Sequence, residues 1–232
     1  MVKMENKPEI KRQLIRKVIF LLAAGFVVLA IIFFLPAGTW DYWQAWVYLA
    51  LLFIPVTLGS FYFIEKEPAL IERRLRLTER KKVHKKITNL AYPLMIFTFF
   101  LPGFDRRYGW SNVPIGVAIA ANLLVFISYI IIFVVFRENS YASRTIHIEQ
   151  GQKVISSGPY ALVRHPMYVG SILRNTFTPL ALGSWVATIP GLLLIPIMIA
   201  RLLHEERMLA EELEGYKDYM VKTKYRLIPG IW

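Results

Sequence analysis

Apolar residues run along this chain in long blocks, not in the short alternations of soluble strands or one-sided helices. The first block, residues 18–35, follows a polar stretch at 1–17 and closes on Pro36-Ala37-Gly38. It is too long for the core of a cleaved signal peptide, which predicts a retained transmembrane helix. Trp40, Tyr42 and Trp43 then mark an interfacial turn. A second span is predicted over about 45–64, softened by Pro55 and Gly59. Residues 87–104 form a third block, interrupted by Asn89, Tyr92 and Pro93, for which a re-entrant segment is an alternative. A short polar loop is expected at 105–111, and a clear span at 113–136.

Two further blocks, 166–182 and 185–203, are joined by Gly183-Ser184. So short a joint predicts an antiparallel helical hairpin that returns the chain to the membrane face it left. Beyond it, Leu209, Leu213, Tyr216 and Met220 keep a 4-3-4 spacing, which predicts one continuing amphipathic helix. Between the spans, residues 65–86 are strongly basic, with Leu70, Ile71, Leu75, Leu77 and Val83 forming a loose stripe. That pattern predicts an amphipathic helix on the inner leaflet. Residues 140–157 are polar, with Ile146, Ile148, Val154 and Ile155 on either side of Gly151, and suggest an extended stretch or hairpin. The architecture expected is all-α: a polytopic membrane protein of about six transmembrane helices with interfacial amphipathic helices. No Gly-x-Gly-x-x-Gly follows a strand, so no Rossmann domain is expected. Residues 1–139 read as the N-terminal membrane helices and 140–232 as the catalytic region.

Composition agrees with this pattern. The chain has 232 residues, 56% of them hydrophobic, and a mean hydropathy of +0.44, more apolar than a soluble domain. Net charge is +12, but the basic residues lie between apolar runs and not on one soluble face. They are explained by the positive-inside rule and anionic lipid headgroups, and nucleic acid is not an expected partner. Six spans put both termini on one side, and only Arg106 and Arg107 fall in an opposite loop, so the basic face is expected to be cytoplasmic. The absence of cysteine excludes disulfides and thiolate chemistry. His84, His147, His165 and His204 have no ligand spacing, so no metal is expected.

Candidate chemistry is concentrated in two blocks. The first is Gly158-Pro159-Tyr160-Ala161-Leu162-Val163-Arg164-His165-Pro166-Met167-Tyr168-Val169-Gly170. Pro166 suits the first turn of a helix, which puts Arg164 and His165 at its mouth and Tyr168 one turn inside. The second is Arg201-Leu202-Leu203-His204-Glu205-Glu206, followed by Tyr216, Tyr219 and Tyr225-Arg226-Leu227-Ile228-Pro229-Gly230. The hairpin brings the two blocks to one face. Each alone also fits an interfacial anchor, with snorkelling arginines and an ion pair closing a span.

Together and in this order, the blocks resemble the isoprenylcysteine carboxyl methyltransferase family, and similar pairs occur in the related phospholipid methyltransferases. The resemblance is densest over 140–232. It implies S-adenosylmethionine as cofactor, with Tyr160, Arg164, His165, Tyr168, Gly170, His204 and Glu205 around it. It also implies that Arg201 and Glu206 act at the acceptor's carboxyl group, with Arg164 beside them in a catalytic role. The residue types are compatible with that cofactor, which needs a carboxylate for its ammonium, a cation for its carboxylate and an aromatic slot. A carboxylate acceptor is already a nucleophile and needs orientation, not a general base. Arginine orients it with a two-pronged fork, so Arg164 and Arg201 in one site favour an anionic acceptor, with Arg201 expected to pair with Glu206. The acceptor expected is lipophilic, a small molecule or a prenylated tail arriving from the bilayer. A phospholipid amine N-methyltransferase, a sterol-reductase-like NADPH enzyme and a non-catalytic membrane scaffold remain open.

Arg174-Asn175-Thr176 departs from the resemblance. Eight residues beyond Pro166, at about 1.5 Å each, Arg174 lies roughly 12 Å into its helix. An arginine there is costly unless it is paired or reaches a wet cavity. It is expected to face the bundle near Asn175 or Thr178, or to touch a pocket continuous with the site, which makes Arg174 and Asn175 candidate substrate contacts. The alternative is a defect that the fold tolerates.

Overall fold

The first apolar run lies inside α1 (Lys7–Ala37), which begins within the basic stretch expected to precede it. The computed structural model describes residues 7–75, 82–142 and 151–232. Every α-helix or strand assigned among them is an α-helix. After α1 come α2 (Trp43–Lys66), α3 (Pro68–Leu75), α4 (Lys82–Tyr108) and α5 (Ile115–Glu138). A 3-10 turn at Gly158–Ala161 precedes α6 (Pro166–Ala181), α7 (Thr188–Glu212) and α8 (Tyr216–Lys222).

Among the described residues four helices, α1, α2, α5 and α7, are long and apolar enough to cross a bilayer. Their outer faces carry large exposed apolar residues, including Phe20, Leu35, Ile54, Leu58 and Leu123. Water does not tolerate such surfaces on a monomer. The chain is an integral membrane protein. The other two of the six expected spans do not meet the same measure. At 16 residues α6 is about 24 Å long, short of a roughly 30 Å hydrocarbon core. In α4 the ends are charged, with Asp105, Arg106 and Arg107 in its last two turns.

That last feature corrects the loop expected at 105–111. Asp105 is helical and buried, and its carboxylate accepts from the Ser111 amide at 2.7 Å, the Ser111 hydroxyl and the Ser184 hydroxyl at 2.5 Å. These bonds tie the α4–α5 turn to the α6–α7 turn at the membrane face opposite the Arg-His-Pro block. The α6–α7 joint spans 182–187 and the hairpin is antiparallel, because Tyr168 meets Glu205 near one end while Gly191 meets Asn175 further down.

The basic segment also folds differently from its pattern. Leu70 and Ile71 of α3 are buried against Leu14, Val18, Phe63 and Ile64, so the bundle takes this part of the stripe expected to face lipid. Its remaining part, 76–81, lies outside the described residues, and α4 starts at Lys82. Likewise 143–150 of the expected hairpin lies outside them, while 151–157 is irregular. The main core joins α1, α2, α5 and the end of α6 through Phe33, Tyr48, Leu49, Val125 and Leu182. A smaller one is made by Leu213, Tyr216 and Tyr219 with Val154 and Tyr160. The amphipathic helix expected to continue beyond Glu206 is in fact broken. Gly215 takes φ +80°, a backbone region that side chains disfavour, and α8 leaves in a new direction.

Candidate active site

Arg164 and His165 precede Pro166, whose fixed φ and missing N–H suit the first turn of α6. Their amides are satisfied by the C-terminal tail: Arg164 N–H donates to Tyr225 O at 2.9 Å and His165 N–H to Arg226 O at 3.0 Å. The side chains converge on Glu206 of α7. Arg164 Nε and Arg226 Nε donate to its two oxygens at 2.9 Å each, and His165 Nε2 lies 3.1 Å from Oε2. Arg164 Nη1 also donates to the carbonyls of Thr223 and Lys224, at 2.9 and 2.8 Å. Arg164, His165 and Glu206 are each about 5% exposed. Charge-assisted bonds in such a dry setting are the strong kind, and here they fasten the tail to the hairpin.

This corrects the expected Arg201–Glu206 pair. Five residues on an α-helix advance about 500°, which leaves Arg201 and Glu206 about 140° apart. Glu206 faces the tail. Arg201 faces a cavity and lies beside the Tyr168 hydroxyl.

That cavity has a volume of about 570 Å³, within the range of small-molecule sites. Its outer end is walled by Gln152, Val154, Tyr160, Leu213, Tyr216 and Tyr219, and its inner end by Met95, Arg174, Asn175, Leu194, Ile197 and Met198. Between them, Tyr168 donates to Glu205 Oε2 at 2.7 Å. The charges on the wall are lopsided: Arg74, Lys153, Arg164, Arg174 and Arg201 face Glu205 as the one carboxylate among the described lining residues.

The outer aromatic group is fixed by hydrogen bonds. Asn139 Nδ2 donates to the Tyr160 hydroxyl at 2.8 Å, and the Tyr219 hydroxyl donates to the Tyr160 carbonyl at 2.7 Å. Burial pushes all three phenols above their ordinary range. For Tyr160 the Asn139 bond offsets part of the rise and Glu205 adds to it. For Tyr216 the carboxylates of Glu206 and Glu205 add to it. Tyr219 reaches about 12, with Thr223 and Arg164 moderating. Near neutrality these groups are uncharged donors. The Tyr216 hydroxyl is buried with no partner, a donor left over in the cavity wall.

Of the expected site residues, Tyr160, Arg164, His165, Tyr168, Arg174, Asn175, Arg201 and Glu205 line this one cavity. Gly170, His204 and Glu206 are not on its wall. Gly170 instead lets α6 close on α5, since a Cβ there would stand 2.9 Å from Ile132 and 3.1 Å from the Ser128 carbonyl. Arg174 approaches the hydroxyls of Tyr129 and Tyr48, and Thr178 donates to its carbonyl at 2.8 Å. Not singled out as site residues were the α4 wall, Gln152, Tyr216 and Arg226. Tyr216 and Arg226 stood in the quoted second block, Tyr92 read only as an interruption of its span, and Ala91 and Met95 carried no signal beyond being apolar.

Comparison with known proteins agrees with the position of these blocks. Residues 118–211 match the model of the isoprenylcysteine carboxyl methyltransferase (ICMT) family. That segment is similar to the ICMT family. It takes in α5, the Arg-His-Pro block, α6 and nearly all of α7, and ends before Tyr216 and Arg226. A curated relative from Acanthamoeba polyphaga mimivirus, named "Probable 7-dehydrocholesterol reductase", is 27% identical over 158 residues, 58% of this chain. The chain spans about a third of the length of that relative, 35%. Among solved structures, the eukaryotic intramembrane Ras methyltransferase ICMT aligns with a TM-score of 0.48 at 14% identity, over 93% of this chain and 85% of the other.

Proposed function

We propose that this chain is an integral membrane methyltransferase that uses S-adenosylmethionine and acts on the carboxylate of a lipophilic acceptor. The observation that carries the reading is one cavity with a tyrosine-rich polar end, a tier of Glu205, Tyr168 and Arg201, and an apolar end between helices. The ICMT match over the same helices supports it. Residues 140–232 form the catalytic region, completed by the α4 wall. We take α4 and α6 as the remaining two of six spans, with the site and both termini on the cytoplasmic side, as the charge asymmetry favours.

The residues present fit the cofactor. The unpartnered Tyr216 hydroxyl suits a ribose or base edge, Glu205 suits an ammonium, and Tyr160 and Tyr219 supply aromatic surface. When bound, S-adenosylmethionine supplies an electrophilic methyl group on a sulfonium. The chain's own task is to hold and desolvate the acceptor. Arg201 sits one turn below Glu205 on α7, 400° or about 40° around the helix, so both address the same space. Its fork orients an acceptor carboxylate without needing a base to remove a proton. Apolar walls at Leu194, Ile197 and Met95 keep water from the reacting end. A cation-rich wall disfavours an amine acceptor, which sets the phospholipid N-methyltransferase reading behind.

A second reading is favoured by the mimivirus relative: an NADPH-dependent sterol reductase, whose phosphates would also suit five wall cations. Calorimetry of the purified protein with S-adenosylmethionine and with NADPH separates the two. We expect the first to bind and its labelled methyl group to pass to a farnesylcysteine-like acid. Binding of NADPH alone would overturn the methyltransferase reading, and binding of neither would favour a non-catalytic scaffold.

A further inference from the structure

Arg174 carries a charge deep in the bundle that the site as described above does not use. Its Nε is buried without a hydrogen-bond partner. No carboxylate pairs with it among the described residues. Its polar neighbours are the hydroxyls of Tyr129 and Tyr48, which offer dipoles but no countercharge. A cation held this way is expensive inside a membrane, at least about 2.5 kcal/mol on insertion scales. Such a group persists where something supplies the missing anion.

Its level can be worked out from the hairpin. The Tyr168–Glu205 bond fixes one rung between α6 and α7, and Asn175 Nδ2 reaches Met198 Sδ at 3.4 Å on a lower one. Arg174 is six residues below Tyr168 on α6, about 9 Å, and Arg201 is four below Glu205 on α7, about 6 Å. The two guanidinium-bearing positions thus face one cavity from opposite helices, offset by about 3 Å along the axis. Two like charges on the wall of one cavity repel each other. An anion between them removes the repulsion and supplies Arg174 with its countercharge. Below and beside them the wall turns apolar through Leu194, Ile197 and Met198, toward Met95 of α4.

We propose that Arg174 and Arg201 jointly bind the acid group of a single-chain anionic lipid, with the chain lying along the apolar wall toward α4. This deepens the acceptor assignment above and rests on it. It makes Arg174 a specificity-determining residue: an acceptor must present a bare, compact anion, because a guanidinium on each side leaves little room for a bulky neutral head.

The test uses the full-length protein in nanodiscs of neutral phosphatidylcholine. Dodecanoate, dodecyl phosphate and dodecanol are titrated into the parent, Arg174→Gln and Arg174→Lys, and S-adenosylmethionine affinity is measured on the same samples. The parent should bind dodecanoate at least tenfold more tightly than dodecanol. Arg174→Gln should lose most of that difference, Arg174→Lys should retain part of it, and cofactor affinity should stay within twofold in all three. Since the glutamine variant removes an uncompensated charge from the bundle, it should melt no lower than the parent. An Arg174-dependent preference for either acid supports the site and identifies its anion. Equal affinity of parent and Arg174→Gln for both acids overturns it. Failure of the parent to bind S-adenosylmethionine is a separate result that strikes the methyltransferase reading.

Discussion

Glu206→Ala should unfasten the C-terminal tail and cost the protein a large part of its stability. The carboxylate is the meeting point of Arg164, Arg226 and His165 and is about 5% exposed. Removing it leaves Arg164 buried with two carbonyl partners and no countercharge. Breaking a buried pair in this way costs about 3–5 kcal/mol. That is a fifth or more of the roughly 5–15 kcal/mol that holds most domains folded. Arg226→Ala removes another arm of the same knot, but that side chain is 30% exposed, and Arg164 and His165 still serve Glu206. Its loss should cost only about 1 kcal/mol. Glu206→Gln keeps acceptor oxygen but no charge and should fall between. Thermal unfolding in detergent without ligand gives the ranking, and chymotrypsin sensitivity at Tyr225 reports tail release. If Glu206→Ala melts within a degree of the parent, or no lower than Arg226→Ala, the knot is not what holds the tail.

Glu205→Gln and Tyr168→Phe should each weaken S-adenosylmethionine binding at least about tenfold, roughly 1.4 kcal/mol, while shifting the melting point little. Unchanged calorimetric affinity in both would remove that rung from the cofactor site. Arg201→Lys keeps the charge and loses the fork, so methyl transfer should fall much more than cofactor affinity, and turnover at the parent rate would refute the carboxylate-holding role. Gly170→Ala should destabilise by about 1–3 kcal/mol through overpacking against Ser128 and Ile132, with cofactor affinity per folded molecule intact. Tyr219, with its phenol raised to about 12, binds its proton more tightly folded than unfolded. Its contribution is therefore full below about pH 10 and lost as pH rises toward 12, and Tyr219→Phe should flatten that alkaline loss of thermal stability.

Much of the fold was legible because bilayers impose a coarse rule. Long apolar runs become helices wherever backbone groups have no water to bond, and α1, α2, α5 and α7 follow it. The rule weakens where protein, not lipid, is the neighbour. Residues 70 and 71 look like one side of an interfacial helix, yet α3 buries them against α1 and α2 because an apolar side chain gains as much from the bundle as from the leaflet. Asp105 looks like a loop residue, yet it ends α4 inside a serine cage that the sequence assembles from positions 111 and 184. Contacts between distant turns leave no local periodicity to read.

The site was legible as a set of residues and less so as an arrangement, for a reason that lies in α7. Consecutive residues on a helix are 100° apart, so Glu205 and Glu206 cannot serve the same partner. Glu205 shares the cavity side with Arg201 and meets Tyr168, while Glu206 turns to Arg164, His165 and Arg226. One acid is therefore available to a ligand and the next one is spent on the fold. The same division runs through the Arg-His-Pro block. Arg164 and His165 touch the cavity wall with part of their surface, but Arg164 Nε and Nη1 and His165 Nε2 are committed to Glu206 and the tail. The tail in turn brings Tyr216 and Tyr219 over the cavity's outer end. A substitution in the knot should thus impair cofactor binding indirectly, by moving those tyrosines. A substitution at Glu205 or Arg201 acts without moving them. The distinction is measurable, because saturating ligand restores the melting point in the first group far more than in the second.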